Sequence, residues 1–257
     1  MKIAAAQLTC VPADPSANTE LSVALAAEAR AQGAELVVFP ELTLTGYELE
    51  DLAADPGLWL ADADDPRLDP LRSAGIAVAF NAALRTAGPL PALATLVYAA
   101  DGGHVTTYAK QHLYGHEQGV FAAGESQGRF TLGGIPFSLG VCYDNHFPRL
   151  TGRAAADGCR VHLASSLYGT GDGIRERATV YPGIAEEHGL YVVLANHVGP
   201  AGAWTGCGRS AIWAPGGALL AEADDRTASV VTAEVAPAPT AAATAPAETA
   251  PAETAVS

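Results

Sequence analysis

Three stretches place chemistry-bearing side chains directly after strand-like runs. ELVVFP leads into Glu41, HVTTYA into Lys110, and FSLGV into Cys142. In α/β proteins, sites gather at the carboxyl edge of a sheet. A charge standing right after a buried strand is costly unless it is paired. Glu41 and Lys110 can neutralise one another there, with Cys142 sharing the pocket. A free thiol has a pKa of about 8.5 and is mostly protonated at neutral pH. A carboxylate beside it can take the thiol proton as general base and return it to a leaving amine as general acid. An ammonium stabilises both the thiolate and the oxyanion of a tetrahedral intermediate. Such a set suits acyl transfer from an amide or nitrile carbon through a thioester. The alternative reading of Cys142 is a small buried hydrophobe, and spacing alone leaves both open.

The elements that must carry these residues are legible from periodicity. KIAAAQL reads as a strand, and ELVVFP as a short strand buried on both faces. SANTELSVALAAEARAQGA reads as a helix, with Ser16 or Asn18 as N-cap and Gly33 as its stop. ATLVYAA and HVTTYA, joined through DGG, form a hairpin, and RFTLGGIPFSLGVCY a second such pair. PRLTGRAAADG is a short helix, CRVHLAS a strand, and RERATVYPGIAEEHG a helix despite Pro182. LYVVLAN, GRSAIWAPGGALLAEA and ASVVTAEV complete the strands. About a dozen strands and four main helices predict one layered α/β domain over residues 1–235. Residues 236–257, APAPTAAATAPAETAPAETAVS, hold too little apolar surface to fold and are expected to be a disordered tail.

Composition narrows the functions. Hydrophobic residues make up 49% of the 257, enough for a folded core. Acids outnumber bases 28 to 14, for a net charge of −14, which disfavours nucleic-acid backbones and anionic membranes. No apolar run approaches the roughly 20 residues of a membrane span. Cys10, Cys142, Cys159 and Cys207 show no metal-ligand or disulfide spacing, so no metal site is expected. With no export signal, the expected location is the cytoplasm, with reduced thiols.

Longer motifs around the three residues resemble those of the carbon–nitrogen hydrolase family, the nitrilase superfamily. VVFPELTLTGYE resembles its glutamate motif, YAKQHLYGHEQGVFAAGE its lysine motif and GVCYDNHFPRL its cysteine motif. EEHGLYVVLANHVG and GCGRSAIWAPGGALLAE match further downstream, so the similarity spans nearly all of residues 1–235. The resemblance implies a four-layer αββα sandwich, subunits paired across a helical face as a homodimer or larger homo-oligomer, and a mechanism without metal or cofactor. It implies Glu41, Lys110 and Cys142 as a catalytic triad. It also implies Glu117 as a second glutamate orienting the lysine, and the backbone N–H of Tyr143 as part of the oxyanion hole. The expected substrate is a small amide, and CYD resembles the amidase and carbamoylase branches more than the true nitrilases. Nitrilase and N-carbamoyl amide hydrolase remain alternatives, and a non-catalytic binding or assembly module is the alternative of another class.

Further substrate-binding candidates are Tyr47, His112, Arg149, Ser165, Ser166 and Tyr168. Arg149 stands where the family often has Glu, and could meet a substrate carboxylate or pair with a surface acid. Cys142 and His146, four apart, find no other support for a Cys–His protease. The compact 42–75 segment predicts an open pocket that admits a small amide, acidic ones included.

Overall fold

The structure is a computed structural model that describes residues 1–236. Along the chain come β1 (Lys2–Gln7), α1 (Pro15–Ala31), β2 (Leu36–Val38), α2 (Leu49–Ala54), α3 (Asp69–Arg72), β3 (Ala77–Leu84), β4 (Ala92–Tyr98) and β5 (His104–Ala109). There follow β6 (Arg129–Leu132), β7 (Ile135–Val141), α4 (Pro148–Ala156), β8 (Val161–Ser166), α5 (Asp172–His188) and β9 (Tyr191–Asn196). A hairpin of β10 (Val198–Ala201) and β11 (Trp204–Cys207) precedes β12 (Ala211–Trp213), β13 (Leu219–Glu222) and β14 (Ser229–Glu234).

Two six-stranded sheets form, in the orders β14-β1-β2-β3-β4-β5 and β13-β12-β9-β8-β7-β6. The two-residue side-chain period divides each central strand between two cores. Ile3, Ala5, Leu36 and Val38 face the second sheet, meeting Phe137, Leu139, Val161, Leu163 and Val193. Ala4, Ala6 and Val37 face outward with Leu25, Ala26 and Leu71 of α1 and α3. On the other side Ala164, Val192 and Leu194 pack with Ala154, Tyr181 and Ile184 of α4 and α5. The layers therefore run α, β, β, α. Strands buried on both faces explain why ELVVFP and LYVVLAN read as continuous apolar runs.

Two local expectations change. Helix α1 starts two to four residues early: Pro15 fills its first position and Asp14 is the cap, its side chain accepting from the Ala17 N–H at 3.0 Å. Asn18, fully buried, instead bonds the backbone of Val11 and Leu44. DPRLDPLRSAG splits into a 3-10 turn and the four-residue α3, because the second Pro interrupts it. The expected tail lies, from residue 237 on, outside the described residues. Near the end of the described residues, the Val235 N–H donates to the Met1 carbonyl at 2.9 Å.

Candidate active site

The glutamate comes from the loop after β2, the lysine directly follows β5, and the cysteine directly follows β7. The structure brings them to one place. Lys110 Nζ donates to Glu41 Oε1 at 2.7 Å and to Glu117 Oε1 at 2.6 Å, and all three side chains are essentially without solvent. Glu117 also accepts from the Tyr47 hydroxyl at 2.7 Å and from the Tyr114 N–H at 2.8 Å. Glu41 Oε2 is buried and has no partner among the described residues.

One lysine cannot compensate two buried carboxylates, so the protons distribute unevenly. Burial pushes Glu41 up to about 8 against the pull of Lys110, and the charge on Glu117 adds to the rise. Burial alone would lower Lys110, but Glu41, Cys142 and Glu117 together hold it well above its usual range, so it stays an ammonium. The Cys142 thiol is also raised, first by burial and then by Glu41, while Lys110 opposes the rise. The sulfur is therefore held as a thiol.

Cys142 opens a 3-10 turn, Cys142–His146, at the end of β7, with φ 44°. A non-glycine residue in the left-handed region is strained by about 1–3 kcal/mol and persists only where its surroundings enforce it. Asp144 is one enforcing group. It accepts from the N–H groups of Val141, Gln111 and His112, from the Tyr108 hydroxyl at 2.8 Å, and pairs with His112 Nδ1 at 2.9 Å. It thus ties the cysteine turn to the strand and loop that carry Lys110. Asn145 is the other. It donates to the Cys142 carbonyl at 3.0 Å and accepts from His162 Nε2 at 2.7 Å. Burial lowers His162 to about 3, so it stays neutral, donating from Nε2 and accepting from Ser138 at Nδ1. Gly140 makes room for this pair, since a Cβ there would come within 2.9 Å of Asn145 Oδ1. The Tyr143 amide lies in the first turn of the 3-10 helix, where N–H groups lack an intrahelical acceptor.

The half-buried Cys142 opens onto a cavity of about 500 Å³. Tyr47, Tyr114, Tyr143, Tyr168 and Trp204 form its aromatic walls. His146, Asp172 and Glu176 also line it, and no Arg or Lys among the described residues does. The hydroxyl of Tyr168 and His146 Nε2 lie 2.9 Å apart. Sequence reasoning missed Trp204, which arrives on β11 and packs edge-on against Tyr47 at 5.4 Å. The only signal for it was an aromatic beside a glycine-rich turn. Asp144 was missed as well.

Of the further candidates, Tyr47 and Tyr168 line the cavity and four others do not. Arg149 is exposed in a separate groove with Gln111, His112, Phe147 and Arg153, so no substrate carboxylate beside Cys142 meets it. His112 faces that same groove, stacked on Phe147 at 3.6 Å between centroids. Ser165 is buried within β8. Ser166 is buried too, its hydroxyl bonded to Tyr181 at 2.7 Å. The lining run begins one residue later, at Leu167, where β8 has ended and the backbone turns outward.

The fold and this constellation define a sandwich with an acid, an ammonium and a thiol at the sheet edges. The carbon–nitrogen hydrolase family profile matches residues 2–245, and the chain belongs to that family: it is a carbon–nitrogen hydrolase. A protein of Mycobacterium tuberculosis named only as a hydrolase is 33% identical over 86% of this chain and 81% of its own. A nitrilase of Pyrococcus abyssi is 27% identical over 90% and 87%. The amidase of Nesterenkonia sp. AN1, from the nitrilase superfamily, superposes with a TM-score of 0.84 at 30% identity, over 91% of this chain and 90% of that one. Variants of that amidase have been captured with acrylamide and with butyramide.

Proposed function

We propose that the protein hydrolyses the carbon–nitrogen bond of a small amide through a thioester on Cys142. The observation that carries this reading is the buried Lys110 bridge between Glu41 and Glu117, with one Glu41 oxygen left without a partner. Glu41 takes the thiol proton and Cys142 Sγ attacks the carbonyl carbon. The oxyanion that forms is met by Lys110 and the Tyr143 N–H. Glu41 returns the proton to the nitrogen, the C–N bond breaks and ammonia leaves. Water, deprotonated by Glu41, then hydrolyses the thioester to the acid and restores the thiol. Glu117 positions Lys110, and Tyr47 positions Glu117. Burial keeps Tyr47 a phenol, so it remains a donor.

The walls suit an acyl group that is uncharged or positively charged. Five aromatic rings give apolar faces that also attract cations. The half-exposed Glu176 places negative charge at the mouth, where the exposed Asp172 is paired with Arg175. The captured ligands of the Nesterenkonia amidase, both short uncharged amides, agree with this chemistry.

The test is ammonia release from short aliphatic amides, amino-substituted amides, ω-amides of dicarboxylic acids, N-carbamoyl amino acids and matched nitriles, with Cys142→Ala beside the wild type. Release from amides that disappears in the variant is expected. Release from nitriles alone would move the protein to the nitrilases. Release unchanged in Cys142→Ala would remove the thiol from the mechanism.

A further inference from the structure

We infer that Asn81 and His197 are positioning residues for the proton shuttle, clamping the peptide unit between Glu41 and Leu42 from both sides. This rests on the reading of Glu41 as the base for Cys142. The Glu41 carbonyl accepts from His197 Nε2, and the Leu42 N–H donates to Asn81 Oδ1 at 2.6 Å. These are the two polar groups of one trans peptide and point in opposite directions. The donor and the acceptor come from different sheets: Asn81 lies in β3, and His197 directly follows β9.

The clamped peptide is not at rest. Leu42 has φ 51°, in the left-handed region where a branched side chain is unfavourable. Nothing intrinsic to a leucine keeps that conformation, so its surroundings do. Both clamping side chains are wholly buried. Asn81 is itself braced, Nδ2 donating to Thr95 Oγ1 at 3.0 Å, with Thr95 on the neighbouring β4. His197 is held neutral by burial, at about 4, and because the Glu41 carbonyl can only accept, its one ring proton sits on Nε2. Its Nδ1 faces the Cys10 sulfur at 4.0 Å. No charge of either residue acts on substrate. Their effect runs through the backbone to where the Glu41 carboxyl sits between Lys110, Glu117, Tyr47 and Cys142, the titratable groups around it.

A misplacement of about 1 Å at a reacting group costs about a hundredfold in rate. The clamp fixes the chain one bond from the Glu41 Cα, so its loss would allow such a shift. It would also carry the carboxyl away from Lys110, the group that holds its pKa down, and raise that pKa further.

The test follows alkylation of Cys142 by iodoacetamide, peptide by peptide by mass spectrometry, across pH and well below each protein's Tm. This needs no knowledge of the substrate. Asn81→Ala and His197→Ala are expected to slow Cys142 alkylation about a hundredfold and to move its acid limb to higher pH. His197→Gln, whose amide keeps an N–H for the Glu41 carbonyl, is expected to recover most of the rate and the original limb. Should Asn81→Ala not fold, Thr95→Val, which removes only the brace on Asn81, gives a smaller change in the same direction. Folded alanine variants alkylated at the wild-type rate with an unmoved limb would overturn the clamp. So would a loss in His197→Gln as large as in His197→Ala. A wild-type Cys142 no faster than Cys10, Cys159 and Cys207 would overturn the reading of the site itself, and the clamp with it.

Discussion

In the proposed mechanism, Glu41 concentrates the chemistry of the site in one side chain. Its pKa, raised to about 8 chiefly by burial, sets how much base is present at a given pH. Below that value the base form falls tenfold per pH unit, so Cys142 alkylation should rise with pH up to about 8. Glu41→Gln should remove that limb and leave only the higher one of the thiol; pH–rate profiles of both proteins check this. Stability follows the opposite sign. A carboxyl whose folded pKa lies above its unfolded value of 4.5 stabilises the fold at low pH, and that contribution is lost as pH rises from about 4.5 to about 8. Denaturant titrations should therefore show Glu41→Gln gaining on the wild type across that window. Lys110→Met leaves two carboxylates buried without their cation and should cost about 3–5 kcal/mol, read as a lower urea midpoint. That Glu41, Lys110 and Cys142 could meet was legible because charges and a thiol right after apolar strands are conspicuous, and the family resemblance singled them out. Asp144 was not, because an acid two residues past a cysteine reads as an ordinary turn. Its donors on residues 108–112 lie some thirty positions away and meet it only after folding.

Elements decide how those side chains are presented. The cysteine turn depends on Gly140, beside which Asn145 and His162 approach too closely for a methyl group. Gly140→Ala should destabilise by about 1–3 kcal/mol through overpacking and slow Cys142 alkylation more than that of Cys159. Thermal unfolding and peptide-resolved alkylation separate the two effects. The β10–β11 hairpin matters equally. The Cys207 N–H donates to the Tyr168 carbonyl and the Thr170 N–H to the Thr205 carbonyl, which fixes the loop along the cavity wall. Trp204→Ala should raise KM for small amides more than it lowers kcat, since the ring lines the cavity wall against Tyr47 and carries no group that could act as acid, base or nucleophile. The hairpin escaped the sequence reading because VGPAGAWTGC shows turn residues but no clear alternation. The long apolar strands were legible since burial on both faces leaves continuous hydrophobic runs. The cap of α1 was misplaced because Asp14, Ser16 and Asn18 are all suitable cap residues, and only the Pro at the first helical position chooses among them.

Across the whole molecule, charge and cavity lining point the same way. A net charge of −14 surrounds a cavity lined by Glu117, which Lys110 offsets, by Asp172, which Arg175 pairs, and by Glu176, with no Arg or Lys among the described lining residues. Amino-substituted and neutral amides should therefore show higher kcat/KM than ω-amides of dicarboxylic acids of equal length. Added salt should narrow the gap, because screening acts on the exposed mouth charges first. The four-layer sandwich was implied by the resemblance of the motifs to the family, whereas the sign of the cavity's charge was not. It depended on Arg149, which folding carries to a different groove. The central claim is a covalent acyl intermediate on Cys142. The most direct test is mass spectrometry of protein quenched during turnover of butyramide, with ammonia measured in the same reaction. The account predicts one butyryl group, confined to the peptide containing Cys142, appearing together with free ammonia and absent in Cys142→Ala. Sustained ammonia release with no acylated Cys142, or with Cys142→Ala as active as the wild type, would contradict it.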